Sequence, residues 1–219
     1  MDEGVSAGLL ILRVIVGIVM FAHGDNHVFR GGKIEGTGRW FESLGMKPGK
    51  LHAWLASLTE LTVGPMLIFG FLTPLAAAGV VGVMLVALIT NYLKNGFFIF
   101  RPGEGYEYVL TLTCVGLAIG ALGAGEWSID HAIDLDWPGW TGLAIAGLAG
   151  GGGALLLLGK MLGPERFQAL RESRGKEHDG LMLPTHIAET YVHLAKQHRS
   201  TWTHEIDLRA FSDRPWWNH

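Results

Sequence analysis

The sequence predicts an all-α integral membrane protein with five transmembrane helices and a partly helical cytoplasmic tail. The 219 residues are 49% hydrophobic and only 17% charged, whereas charged residues make up about a quarter of a typical soluble domain. Five apolar runs each approach the ~20 residues that a spanning helix needs. The 32 glycines agree with this assignment, because small residues let membrane helices approach closely.

The first apolar run, LLILRVIVGIVMFAHGDNH from Leu9 to His27, organises the rest of the chain. It carries Arg13 among aliphatic residues and ends in a polar patch over residues 23–27. A guanidinium persists in a membrane helix only where it finds a partner or a water-filled cavity. The run therefore predicts a functional site.

The five runs are separated by segments of different length. A Thr73–Pro74 turn joins the second run to the third, which predicts a tight helical hairpin. Between the first and second, Glu35 to Met46 predicts a short amphipathic helix at the membrane interface. The five candidate spans are Val5 to Ala22, Leu51 to Leu72, Pro74 to Leu93, Tyr106 to Ala124 and Trp140 to Leu162.

Basic residues predict the orientation. Apart from Arg13, all Lys and Arg residues fall on one side of the five predicted spans, and the opposite side holds the acidic segment Glu126 to Asp136. The positive-inside rule then places the N-terminus outside and the C-terminus in the cytoplasm of a cell (plasma or inner) membrane. The acidic start at Asp2 and Glu3 lacks the basic region of a signal peptide, so we expect the first helix to be retained.

The tail, residues 163–219, differs in character from the rest of the chain. Residues 184–198 predict an amphipathic helix with one narrow apolar face, and the last stretch contains Trp202, Trp216 and Trp217. Such a tail is too small for an independent core. We expect it to lie on the membrane domain, on lipid headgroups or on a partner protein. His186, Glu189 and His193 share a predicted helix face and could bind a metal. A solvated polar face is the favoured interpretation.

Arg13 and Glu60 form a predicted intramembrane ion pair. Counted from the predicted outer ends of their spans, the two residues differ in depth by on the order of 7–8 Å, which two long side chains can close. The pair would either fix the packing of two helices or handle protons or substrate in mid-membrane. Helix packing is the favoured interpretation.

Polar residues cluster at the predicted cytoplasmic ends of the spans. They suggest a pocket for a quinone, with its headgroup hydrogen-bonded and its tail among aliphatic side chains; the alternative is ordinary capping of helix ends. A haem between His23 and His52 is a weaker possibility, and no residue is predicted to be catalytic. The candidate quinone ligands are His23, Asp25, His27, Asn91, Asn95, Glu107 and Tyr108.

Two glycine pairs predict close helix contacts, Gly116 with Gly120 in the fourth span and Gly147 with Gly151 in the fifth. Such spacing puts small residues on one helix face. The contacts could lie within the bundle. The face of the fifth helix could equally dock a neighbouring subunit.

The chain from about Leu9 to Leu135 resembles the DoxX family of small four-helix membrane proteins. The resemblance rests on LLILRVIVGIVMFAHG, TGRWFESLG, LTELTVGPMLIFGFLTPLAA, NYLKNGFF, GYEYVLTLTC and WSIDHAI. It departs at His27, where the family usually has a lysine, and in the fifth span and tail. The predicted domains are therefore a DoxX-like four-helix bundle over residues 1–138, an added helix over 139–162 and the tail. The resemblance points to Arg13, His23, Glu60, Asn95 and Glu107 as the important polar groups.

Members of that family resemble membrane partners in redox systems, which implies a membrane subunit of a quinone-linked oxidoreductase complex. The competing hypothesis is a structural accessory subunit that docks on a larger respiratory or photosynthetic complex through its fifth helix and tail. A small-molecule transporter is a third, which an unpaired Glu60 facing a cavity would favour. The expected partners are the lipid bilayer and other redox subunits, not nucleic acid.

Overall fold

Long helices dominate the computed structural model, which describes residues 3–161 and, in the tail, Glu189, Val192, His193 and Lys196. The α4 helix continues through a π-helical turn (Leu88–Tyr92) and a 3-10 turn (Leu93–Asn95). Likewise, α7 continues through a π-helical turn (Ile145–Ala149) into α8. The α-helices are α1 (Glu3–Phe29), α2 (Lys33–Ser43), α3 (Gly49–Phe69), α4 (Thr73–Ala87), α5 (Glu107–Leu122), α6 (Ile129–Ala132), α7 (Trp140–Ala144) and α8 (Gly150–Met161).

Three helices are long and apolar enough to cross a membrane, namely Glu3–Phe29, Thr73–Asn95 and Trp140–Lys160. The Glu107–Leu122 helix is apolar but shorter. The α3 helix is 21 residues long, yet it contains His52 and Glu60 and is less apolar. The all-helical membrane fold is thus confirmed, and the count of five spans stays a prediction.

The α1 and α3 helices pack against each other in antiparallel fashion, with glycine at the point of closest approach. A Cβ added to Gly17 would lie 2.6 Å from the carbonyl oxygen of Gly64, and one added to Gly64 would lie 2.8 Å from the carbonyl oxygen of Gly17. No side chain fits between the two backbones here. Further along α1, Gly24 is packed just as tightly against Leu61 and Glu60.

The α4 helix lies at the centre of the bundle and contacts α3, α5 and α8. A Cβ on Gly116 of α5 would lie 3.1 Å from Val81, and one on Gly120 would lie 2.5 Å from the Cβ of Ala146. The Gly116–Gly120 pair therefore contributes to packing inside the bundle, as one of the two predicted alternatives states.

The α7–α8 helix packs on the bundle through a different set of residues from the predicted pair Gly147 and Gly151. A Cβ on Gly147 would only touch Leu117 at 3.6 Å, and one on Gly151 would meet no atom within 4 Å. The alternative that places this pair inside the bundle is wrong, because the π-helical turn shifts which residues face inward; its docking of a neighbouring subunit stays a prediction. The buried stripe is Gly142, Ala146, Gly150, Ala154 and Leu158.

The α2 helix confirms that the segment between the first two spans is helical. It packs against α3, with Ile34 and Phe41 buried and Trp40 exposed. The predictions for the tail, including the helix over residues 184–198 and the shared face of His186, Glu189 and His193, fall outside the described residues except at Glu189, Val192, His193 and Lys196.

Candidate functional site

Arg13 is completely buried, and its guanidinium binds backbone carbonyls. Nη1 donates to the carbonyl oxygens of Leu67 at 2.9 Å and Ile68 at 3.4 Å, and Nη2 donates to that of Trp127 at 2.9 Å. The first two carbonyls belong to the last turn of α3, where a helix leaves acceptors unpaired and carries partial negative charge. Arg13 therefore caps α3.

Asp130 does the same for the start of the next helix. Its side chain is fully buried, and its carboxylate oxygens accept the backbone N–H groups of Leu72 at 2.7 Å and Thr73 at 2.8 Å. Its own N–H donates to the carbonyl of Gly70 at 2.9 Å. The Asp130 carboxylate thus offsets the partial positive charge at the N-terminus of α4. It is also the buried negative charge that acts most strongly on Arg13. We call Arg13, Asp130 and the α3–α4 turn between them the arginine cluster.

The predicted ion pair between Arg13 and Glu60 is wrong. Arg13 lies one helical turn to one side of the Gly17–Gly64 crossing and faces Leu67, whereas Glu60 lies one turn to the other side and faces Gly24. Their levels are separated by about two turns, on the order of 10 Å. Carbonyls at the end of α3 satisfy the guanidinium at closer range than Glu60 can.

Glu60 instead meets His27 across the α1–α3 contact. The Oε2 of Glu60, a residue only 3% exposed, lies 2.9 Å from Nδ1 of His27. Both atoms are buried, and their separation is that of an ion pair. Nδ1 of His52 is buried without a hydrogen-bond partner in the described part of the chain. Unpaired buried polar atoms are costly.

These residues line a cavity of about 460 Å³, within the range of small-molecule sites. Its wall is mostly aliphatic and aromatic, with contributions from α1 to α5 and α8. We call the part of the wall that carries its histidines and its carboxylate the polar chamber. The chamber is lined by His23, His27, His52, Glu60, Asn91 and Tyr108.

Two local features position the remaining chamber residues. The π-helical turn Leu88–Tyr92 brings Asn91 to the cavity wall, in keeping with the frequent occurrence of π-turns at functional sites. The His23 ring stacks on Tyr108 with centroids 6.4 Å apart. Its Nδ1 lies 2.9 Å from the carbonyl oxygen of Val19 and donates to it, so in the neutral ring Nε2 is the acceptor.

Three of the predicted quinone ligands lie outside the cavity. Asp25 accepts a hydrogen bond at 2.6 Å from Nε of Arg30, which raises the pKa of that exposed guanidinium. The Asn95 amide donates to the carbonyls of Gly103 and Glu104 and so closes the loop before α5. Glu107 begins α5, where its carboxylate suits the helix N-terminus. Each of the three lies at or near a helix end, and none of them lines the cavity.

His52 lines the cavity, although it is not among the predicted quinone ligands. Glu60 also lines it, although it is predicted to pair with Arg13. The signal for His52 is its spacing from Glu60 on α3, about two helical turns apart on one face. The sequence does not predict Asp130 as a partner of Arg13, since 117 positions separate the two residues. Among the described residues, no group of His, Cys, Asp or Glu could hold a metal ion.

Comparisons with known proteins agree with the fold. The sequence model of the DoxX family matches residues 8–93. Over 119 residues the chain is 33% identical to a Bacillus subtilis (strain 168) protein named "Putative oxidoreductase CatD", an alignment that covers 54% of this chain and 83% of that protein. No solved structure matches the chain. Residues 8–93 include Arg13, His27 and Glu60, while Tyr108 and the α7–α8 helix lie beyond them.

Proposed function

Since this chain belongs to the DoxX family of membrane proteins, we propose that it is the membrane subunit of a redox complex and that its polar chamber binds a quinone headgroup. The oxidoreductase name of the Bacillus subtilis relative supports a link to redox chemistry. The single observation that carries the proposal is the group of polar side chains on the wall of one largely apolar cavity, His23, His27, His52, Glu60, Asn91 and Tyr108.

The chemistry of these groups suits a quinone. A quinone presents two carbonyl oxygens that need donors, which the imidazoles, the Asn91 amide and the Tyr108 hydroxyl can supply. The reduced form presents hydroxyl groups, which the Glu60 carboxylate can accept. In the predicted orientation the chamber lies in the cytoplasmic half of the bundle.

Binding is favoured over transport, the second candidate. Glu60 does face the cavity, as a transporter would require, but His27 lies 2.9 Å away. Between the chamber and the arginine cluster, the α1–α3 seam is filled by the glycine crossing and by Val16, Met20, Val63 and Leu67, all at most 5% exposed. The described residues thus form a closed bundle end rather than a path through it.

The test is quinone binding by the full-length protein in lipid nanodiscs. A short-chain benzoquinone is titrated while the tryptophan fluorescence is followed, since Trp40 lines the cavity. We expect saturable binding, weakened about tenfold or more by Glu60→Gln and by His27→Ala, the usual cost of losing a hydrogen bond to a charged group.

The matched control is Asp25→Asn, the same carboxylate-to-amide change on a partly buried residue outside the cavity. It should bind quinone like the unmodified protein. The proposal fails if the unmodified protein shows no saturable binding, or if Asp25→Asn weakens binding as much as Glu60→Gln does.

A further inference from the structure

The cavity continues beyond the polar chamber along the surface of α4. There it is bounded on one side by Leu55 and Thr59 of α3 and on the other by Gly153 of α8. Its floor is α4 itself, at Gly79 and Gly82. We call this extension the side groove, lined by Leu55, Thr59, Leu75, Gly79, Gly82 and Gly153.

The helices on either side of the groove, α3 and α8, both pack closely on α4. A Cβ on Gly79 would lie 2.4 Å from Val63 of α3, and one on Gly82 would lie 3.2 Å from the carbonyl oxygen of Gly150 in α8. The small residues thus bring three helices together. The part of the cavity between α3 and α8 is lined there by small and aliphatic residues.

The groove opens on the side of the bundle. Leu55 is 47% exposed and Leu75 is 45% exposed, and a Cβ on Gly153 would meet no atom within 4 Å. In a bilayer that side faces lipid. An apolar molecule can therefore reach the groove directly from the hydrocarbon core, without passing through water.

The two parts of the cavity differ in chemistry. In the chamber the Glu60 carboxylate is almost fully buried and lies 2.9 Å from Nδ1 of His27, whereas the residues of the groove are apolar apart from Thr59, whose hydroxyl donates to the carbonyl of Leu55. A ligand that fits both parts has a polar head and a long, thin apolar tail.

We propose that the side groove holds the isoprenoid tail of a long-chain quinone whose head lies in the polar chamber. This inference rests on the proposed function and specifies its ligand as a lipid-soluble quinone that enters sideways from the bilayer. It also assigns a role to α8, which lies outside the matched region of residues 8–93. That helix forms one wall of the tail site.

The experiment compares two substitutions on adjacent residues of α8. Cβ atoms on Gly152 and Gly153 would both meet open space, but only Gly153 lines the cavity. Replacing either by leucine should not weaken the helix, since leucine is the better helix former. Gly153→Leu fills the groove, and Gly152→Leu is its control.

Each full-length variant in nanodiscs is titrated with a benzoquinone carrying a single isoprenoid unit and with the long-chain form of the same headgroup. We expect Gly153→Leu to weaken binding of the long-chain quinone about tenfold, as loss of buried apolar area should. Its binding of the short-chain quinone should match that of Gly152→Leu and of the unmodified protein.

The groove assignment is overturned if Gly153→Leu and Gly152→Leu bind the long-chain quinone equally well while the short-chain quinone still binds. It is also overturned if Gly153→Leu leaves quinone binding unchanged but loses a phospholipid that co-purifies with the unmodified protein, since the groove would then hold an acyl chain. A protein that binds neither quinone refutes the proposed function itself.

Discussion

The bundle holds two buried polar regions on either side of the Gly17–Gly64 crossing, and they are built differently. In the arginine cluster, Arg13 donates to and Asp130 accepts from backbone groups at helix ends, although Nε of Arg13 and Oγ1 of Thr73 lack a hydrogen-bond partner among the described residues. In the polar chamber, His27, His52 and Glu60 leave side-chain atoms without hydrogen-bond partners in the described chain. Both regions include a fully or almost fully buried charged residue.

The difference separates stability from binding. A buried hydrogen bond to a charged group contributes about 1.5–3 kcal/mol, and a buried polar atom without a partner costs about 1–3 kcal/mol. The arginine cluster therefore stabilises the turn between α3 and α4. The polar chamber costs stability in the free protein, and a bound headgroup can recover that cost.

The largest effect is expected from Asp130→Asn in the arginine cluster. The amide replaces one of the two accepting oxygens by an NH2 donor, so either Leu72 or Thr73 loses its present acceptor, and Arg13 loses its buried countercharge. We expect the free energy of unfolding to fall by about 3 kcal/mol. It is measured by denaturant titration of the purified protein in mild detergent.

Asp134→Asn provides the comparison for that variant. Asp134 is exposed, and its positive φ of 54° suits asparagine as well as aspartate. It should leave the stability unchanged. If the two variants unfold at the same denaturant concentration, Asp130 does not stabilise the α3–α4 turn, and the contrast between the two regions is lost.

A smaller effect of opposite sign is expected from Glu60→Gln in the polar chamber. The substitution removes a buried charge whose Oε2 lacks a hydrogen bond. The desolvation cost of a buried charge can exceed the gain from its partner, so we expect the free energy of unfolding to stay level or to rise by about 1 kcal/mol. A fall comparable to that of Asp130→Asn in the same titration would mean that Glu60 is a structural residue.

The smallest effect concerns the exposed Glu35–Lys50 pair, which joins α2 to α3 at 3.1 Å. The hydrogen bond from Lys50 lowers the pKa of the Glu35 carboxyl below its usual value. Its contribution is therefore present above the unfolded pKa of glutamate, about 4.3, and is lost as the pH falls through the lower folded value. Exposed pairs contribute little, so Lys50→Ala should shift the melting temperature only slightly at pH 7.

At a pH below the folded pKa of Glu35, the melting temperatures of Lys50→Ala and the unmodified protein should coincide. A difference that persists at low pH would show that Lys50 acts through packing rather than through its charge. Lys47→Ala serves as the control, because no hydrogen bond or ion pair of its side chain is found among the described residues.

Apolar runs and charge placement were enough to predict the helical membrane fold, since a spanning helix needs a long apolar segment whatever its neighbours. The polar chamber could be predicted in part, because four of its residues lie near predicted span ends, namely His23, His27, Asn91 and Tyr108. Asp25, Asn95 and Glu107 lie there too, but a helix end does not reveal whether a side chain turns inward or caps the backbone.

The pairing of Arg13 could not be read from depth alone. Its acceptors are backbone carbonyls, which every residue carries, and the choice among them depends on the register of α1 against α3. That register is set by the crossing of Gly17 and Gly64, two of 32 glycines in the chain. The inward stripe of α8 was missed for a related reason, because the π-helical turn displaces the spacing on which the Gly147–Gly151 prediction rested.

The partners of Arg13 also bear on how the protein is made. Its acceptors lie 54, 55 and 114 positions later in the chain, and Asp130 is translated later still. When α1 first enters the bilayer, none of these groups exists, and an arginine near the centre of a lone helix costs about 2.5–3.5 kcal/mol. The free-energy cost of placing Arg13 in the bilayer is therefore fully offset only after the segment around Trp127 has been synthesised and has folded back onto the end of α3.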